Sequence, residues 1–208
     1  MLQQNAVPPF TLDLLKNISA LSELESFGLG GGTSLALRMG HRVSVDLDFF
    51  TNKSFNTSEL FQLITKKFQS AELLFEKNQT IMFSINDIKI DFVLYPFTWS
   101  ESFETIEGIR FLSIRDIIPM KLQAISNRNA KKDYWDIATL FNRYSLDEML
   151  KIFNLKFPQI DTGFIIHSLT DFEKADTELN PDTFDNISWN EIKSLLVSEV
   201  RKYTEGLL

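Results

Sequence analysis

A pair of aspartates inside an apolar run restricts the fold more than any other feature of this chain. Residues 28–50 read Gly-Leu-Gly-Gly-Gly-Thr-Ser-Leu-Ala-Leu-Arg-Met-Gly-His-Arg-Val-Ser-Val-Asp-Leu-Asp-Phe-Phe. The run 45–51 is a predicted strand. Side chains alternate across a strand, so Asp46 and Asp48 share one face while Leu47 and Phe49 take the other and can enter a core. Two carboxylates side by side on a rigid strand repel each other. A hard divalent cation such as Mg²⁺, which prefers oxygen ligands, relieves that repulsion. Upstream, a short strand over 27–30 opens into Gly31-Gly32-Thr33-Ser34 and a short helix over 35–39, stopped by Gly40. A glycine turn entering a helix is an anion site, because free amides and the helix dipole both face it. The stretch thus reads as a phosphate-and-metal site. The plainer alternative is a glycine turn followed by a strand with two exposed acids.

The rest of the chain supplies one more carboxylate of the same kind. Residues 80–85 and 88–95 flank Asn86-Asp87 as a predicted hairpin. Its second arm, Lys89-Ile90-Asp91-Phe92-Val93, sets Asp91 among apolar residues, where a carboxylate is costly unless something binds it. Asp46, Asp48 and Asp91 on adjacent strands would form a metal triad. Helices are predicted over 11–27 with Thr11 as N-cap, over 58–68, 113–128, 132–141, 145–157, 162–169 and 189–203, and further strands over 72–75 and 108–112. Pro119 fits the helix 113–128 if Asp116 is its N-cap, which places the proline in the first turn. Lys121 and Arg128 then lie on one helix face. Lys131 reads as a solvated charge, and 171–185 as an acidic loop.

The formal net charge of −7 argues against sequence-independent coating of nucleic acid, yet residues 113–156 carry eight basic against five acidic side chains. A local basic face can meet a phosphate-rich ligand. With no cysteine and two histidines, thiolate and His-rich metal centres are excluded. The N-terminus lacks a signal-peptide pattern and no apolar run is long enough for a membrane span, so a cytoplasmic protein is expected.

Gly-Gly-Thr followed by Gly-His-Arg-Val-Ser-Val-Asp-Leu-Asp-Phe-Phe resembles the first motif of the polymerase-β-like nucleotidyltransferases, and most closely its AbiEii/AbiGii toxin branch. Met120-Lys121-Leu122-Gln123-Ala124 and Lys132-Asp133-Tyr134-Trp135-Asp136-Ile137 resemble the branch's lysine helix and its Lys/Arg-Asp-x-x-Asp helix. The resemblance covers about residues 28–141. It implies an α+β fold, a mixed sheet flanked by helices, with a nucleotidyltransferase core over 1–112 and a helical region over 113–208 that completes the site. It also implies Mg²⁺-dependent transfer of a nucleotide from an NTP to an acceptor, in some members the 3′ end of tRNA, and a toxin with a cognate antitoxin. Carried over by residue, Ser44, Asp46, Lys121 and Asp136 occupy functional positions, Asp48 fits a second metal ligand and Asp91 a third. In this reading Gly31, Gly32 and Thr33 hold phosphates, Ser44 adds a donor and Lys121 offsets triphosphate charge. Asp136 orients Lys121 or acts on the acceptor hydroxyl. His41 and Arg42 touch phosphate, or His41 caps the short helix. The alternatives are a decayed binding protein with the same fold, or transfer to a protein or small molecule.

Overall fold

The glycine–aspartate stretch supplies two adjacent inner strands of a mixed sheet. In the computed structural model, which describes residues 1–184 and 186–206, the chain falls into two units, Met1–Ser113 and Ile114–Leu208. The first unit holds, in chain order, α1 (Pro9–Ser19), β1 (Gly28–Leu29), α2 (Gly31–Met39), β2 (Leu47–Thr51), α3 (Thr57–Lys67), β3 (Ala71–Lys77), β4 (Thr80–Ile85), β5 (Ile88–Leu94), β6 (Glu104–Ile106) and β7 (Ile109–Phe111). Their order in the sheet is β3-β4-β5-β2-β1-β7-β6. The β2–β5 and β1–β7 pairs are parallel and the other neighbours antiparallel.

Register sorts the side chains onto two faces. Leu47 and Phe49 of β2 pair with Ile90 and Phe92 of β5, and these with Phe83 and Ile81 of β4. All six are buried in one core with Leu12, Leu15 and Ile18 of α1 and Leu60 and Ile64 of α3. Phe49 stacks on Phe92 with ring centroids 5.2 Å apart. Each such side chain contributes about 1.5–3 kcal/mol by leaving water. The same alternation sends Asp48 and its register partner Asp91 to the opposite face.

The second unit is helical: α4 (Ile114–Arg128), α5 (Lys131–Leu140), α6 (Leu146–Lys156), α7 (Thr162–Ser168), α8 (Glu173–Asp176) and α9 (Trp189–Glu205). Capping boxes at Ser145 with Glu148 and at Ser188 with Glu191 start α6 and α9. Trp135 of α5 stacks on Trp189 of α9 at 5.3 Å, with Tyr134 and Phe172 set edge-on or tilted around them. The expected mixed sheet, flanked by helices and followed by a helical region, is what the chain forms.

Several local expectations differ. α1 starts at Pro9, with Pro8 as N-cap, so Thr11 is buried in its first turn and caps nothing. A proline at the first helical position has its φ preset and loses no hydrogen bond. The predicted 11–27 helix stops at Ser19, and a short 3₁₀ turn covers Ser22–Leu24. α2 begins at the glycines themselves. β6 is not in the sequence expectation: three residues with one apolar side chain give no periodic signal, and Glu107 and Gly108, both at positive φ, turn it onto β7. Asp116 is no N-cap but lies inside α4, so Pro119 sits beyond the first turn and removes a helical hydrogen bond. Lys131 is buried, its ammonium held by the Glu178 carbonyl and by Asn180 Oδ1 at 3.2 Å, over the Trp189 ring at 5.2 Å. The acidic stretch contains α8, while its last residue, 185, and the final residues 207 and 208 of the helical region lie outside the described residues.

Candidate active site

The site in the first unit is built where β1 hands over to α2. Gly30 donates its amide to the Asp48 carbonyl at 2.9 Å, which locks the end of β1 beside the aspartate. Gly31 then turns the chain with φ +64°, and a Cβ placed there would lie 2.2 Å from Asp48 Oδ2. A glycine is required twice over, for the left-handed backbone and for the carboxylate pressed against its Cα. The α2 ladder opens with the Ser34 amide on the Gly30 carbonyl at 3.2 Å, so the amides of Gly31, Gly32 and Thr33 precede it at the positive end of the helix dipole.

Hydroxyls tie this turn to the aspartate strand. Thr33 is 1% exposed, and its hydroxyl is hydrogen-bonded to Ser44 Oγ at 2.8 Å and to the Asp46 carbonyl. Ser44 is anchored in turn by its amide on the Ala6 carbonyl at 2.9 Å. Asp46 stands one residue ahead of β2 and, like Asp48, is partly buried. His41 and Arg42 follow α2 and are 4% and 3% exposed, which leaves little surface for a ligand. The cap of α2 is made by Gly40, whose amide reaches the Ala36 carbonyl at 2.8 Å.

Across the β2–β5 pair, Asp91 is the direct register partner of Asp48. It is 7% exposed, and Lys89 Nζ donates to its Oδ2 at 2.6 Å. Its other oxygen, Oδ1, is buried and makes no hydrogen bond. Lys89 is a residue that sequence reasoning passed over. The available signal is its place two residues before Asp91 on a strand, which puts both on one face. Partial burial lowers the Lys89 pKa, but the hydrogen bond and charge of Asp91, then the charges of Asp48 and Asp46, outweigh that and raise it. The ammonium thus feels all three carboxylates.

The donor chemistry suits a hard divalent cation: every donor is a carboxylate oxygen, and one of them is buried without a partner. Among the described residues, however, no three Asp, Glu or His side chains are gathered closely enough to hold an ion. Asp48 and Asp91 are paired by register and do not form a closed cage with Asp46.

The second unit carries its own buried charge cluster. Lys121 of α4, 5% exposed, reaches Asp136 Oδ2 at 2.6 Å and Asp133 Oδ1 at 3.0 Å on α5. Asp133 also accepts a forked pair of bonds from Arg128, 2.7 Å from Nε and 2.8 Å from Nη2. Burial tends to raise the Asp133 pKa, but Lys121 and then Arg128 more than offset it and hold the carboxyl below its usual value. Asp133 is the second residue the sequence reading left out of the site. Its spacing of three from Asp136 on one helix face is the signal.

A family model described as "Nucleotidyl transferase AbiEii toxin, Type IV TA system" matches residues 13–204. The uncharacterised protein aq_aa25 of Aquifex aeolicus (strain VF5) is 32% identical over 200 residues, 93% of this chain and 96% of its own. Among solved structures, JHP933 from Helicobacter pylori superposes with a TM-score of 0.58 at 20% identity, over 97% of this chain and 94% of that one. MenT4, a nucleotidyltransferase toxin from Mycobacterium tuberculosis H37Rv, gives a TM-score of 0.63 at 12% identity, over 93% and 82%. These two likenesses concern the fold.

Proposed function

Because the chain belongs to the AbiEii nucleotidyltransferase toxin family, we propose that it uses Mg²⁺ to transfer a nucleotide from an NTP to the 3′ end of an RNA, tRNA in the first instance, and that it is the toxin of a cytoplasmic toxin–antitoxin pair. The observation that carries this reading is the register pairing of Asp48 with Asp91 beside the bare Gly31 backbone.

The acceptor hydroxyl attacks the α-phosphorus, the α–β bond breaks and pyrophosphate leaves. The amides of Gly31, Gly32 and Thr33 bind the β and γ phosphates at the start of α2. The Thr33 hydroxyl, already engaged with Ser44 and the Asp46 carbonyl, fixes the turn against the aspartates. His41 and Arg42 are buried and stand apart from phosphate binding in this reading. Asp46, Asp48 and Asp91 would hold the metal, which when bound draws charge from the entering and leaving oxygens. In the second unit, Lys121 pairs with Asp136. Its 2.6 Å contact with Asp136 supports the orienting role for that carboxylate. An antitoxin made alongside the chain is the partner this reading calls for.

The test is incubation of the purified chain with each labelled NTP, Mg²⁺ and total RNA. Label is expected on RNA and is lost in Asp46→Ala. That variant keeps a melting temperature near that of the parent, since removing one of several crowded carboxylates relieves repulsion. Label on protein or a small molecule would move the acceptor. NTP binding with no transfer would leave a nucleotide-binding protein in place of an enzyme.

A further inference from the structure

The first unit holds a cavity of about 210 Å³ that nucleotide transfer does not use. Its lining includes Leu60 of α3, so it lies on the face of the sheet covered by that helix, opposite to the face of Asp48 and Asp91. The buried side chains of Leu24, Phe27 and Leu60 make its floor, half-buried Phe55 stands as a wall, and the exposed acids Glu23 and Glu59 form its rim.

Protein interiors are close-packed, so an apolar hollow has to be held open. Polar bonds fix its sides. Arg110 donates from Nη2 to the Leu24 carbonyl at 3.0 Å and from Nε to the Phe27 carbonyl at 3.2 Å. The Phe55 amide donates to Gln79 Oε1, and Gln79 Nε2 donates back to the Phe55 carbonyl, each at 2.8 Å. Asn56 caps α3 by accepting from the amides of Ser58 and Glu59, which sets where Glu59 stands. The cavity is thus formed before any ligand arrives.

Its chemistry selects one kind of occupant. The floor is aliphatic and aromatic, and the rim is anionic from two elements, the 3₁₀ turn and the first turn of α3. The hydrogen-bonding side chains on these acids are neutral, Ser22 Oγ on Glu23 and Asn56 Nδ2 on Glu59. Lys67 acts on Glu23 more weakly than Ser22 does. The order from floor to rim decides the rest. A lysine or arginine side chain entering from solvent carries its charge down to the apolar floor, which is costly. A small amine does the reverse, with its apolar body on the floor and its ammonium at the acids. Drug-sized ligands need about 300 Å³ or more, so this hollow suits a body no larger than one ring or one branched alkyl group.

We propose that the cavity is a binding site for a small primary amine with a single aromatic or branched-alkyl body, its ammonium held by Glu23 and Glu59. The body packs on the rings of Phe27 and Phe55, which already meet edge-on at 5.2 Å. Phe27 leads into β1 and Phe55 follows β2, so the bound amine braces both strands from behind.

The experiment titrates phenethylamine into the full chain with isotope-labelled leucine methyls and follows their NMR shifts. Hydrocinnamate, with the same ring and the opposite charge, is the counter-probe. Phenethylamine is expected to give saturable shifts at Leu24, Leu60 and Leu63, and hydrocinnamate none. Glu23→Gln and Glu59→Gln, both at exposed positions, each weaken phenethylamine about threefold and together about tenfold, the scale of exposed ion pairs. Leu63→Trp, at a half-buried lining position, fills the hollow and removes the Leu24 and Leu60 shifts while the fold keeps its melting temperature. Absence of saturable shifts in the parent, or undiminished binding by a folded Leu63→Trp, overturns the site. An equal response to hydrocinnamate, or parent-like affinity in the double glutamine variant, overturns its selection of an amine. None of these outcomes touches the RNA-labelling test of nucleotide transfer.

Discussion

At the scale of single residues, the turn into α2 is the least forgiving position in the described chain. A Cβ at Gly31 meets two penalties at once, the left-handed backbone and a carboxylate oxygen 2.2 Å away. The left-handed conformation alone costs an L-residue about 1–2 kcal/mol. Gly31→Ala is expected to lose at least that in a urea titration and to reduce nucleotide transfer further than its stability loss explains, because relief of the clash moves Asp48. Thr33 is a different case. Its type suggested a phosphate ligand, but its hydroxyl faces inward to Ser44 and Asp46, so its part in the site falls to its amide.

Among the elements, the ion cluster joining α4 to α5 is the best place to see electrostatics act on stability. The folded-state pKa of Asp133 lies below the ordinary aspartate value of 3.8, because Lys121 and Arg128 more than offset its burial. Its contribution is therefore present above about pH 4 and is lost as the pH falls through the folded value. At neutral pH Asp133→Asn leaves Lys121 with Asp136 and Arg128 with solvent, and is expected to cost about 1–3 kcal/mol. Thermal melts at decreasing pH should show the gap between parent and variant narrowing below pH 4. These elements also mark what the sequence could reveal. Strong periodicity located the hairpin of β4 and β5 and the later helices, and the glycine–aspartate spacing located the turn. The pairing of Asp48 with Asp91 is a long-range register, which no local pattern carries. Pro119 misled because a helix held by tertiary packing tolerates a lost hydrogen bond that an isolated one would not. Lys131 misled because its ammonium finds partners on distant Glu178 and Asn180, leaving the charge buried on what reads as a wet face.

For the molecule as a whole, the sheet ends in an unprotected margin. β3 is an edge strand, and Leu73, Leu74 and Phe75 on it are 44%, 54% and 44% exposed. The register shifts between Leu73 and Phe75, so Leu74 sits at an irregularity in the ladder. Such a bulge discourages pairing with a second chain, but three exposed apolar residues on an edge favour it. Leu74→Lys should reduce concentration-dependent association in light scattering and change stability by no more than about 0.5 kcal/mol. Among the described residues no helix is long and apolar enough to cross a membrane.

The parallel ladder of β2 with β5 has one more consequence, and it concerns inheritance. Codons can be gained or lost in the hairpin tip between β3 and β4, because nothing there decides which β5 residue lies opposite Asp48. Loss of a single codon from Ile88 to Ile90 instead rotates every later side chain of the strand by half a turn. Asp91 would then face the phenylalanines, and Phe92 would stand beside Asp48. Descendants of this gene can drift in length at that hairpin tip, but not within those few triplets.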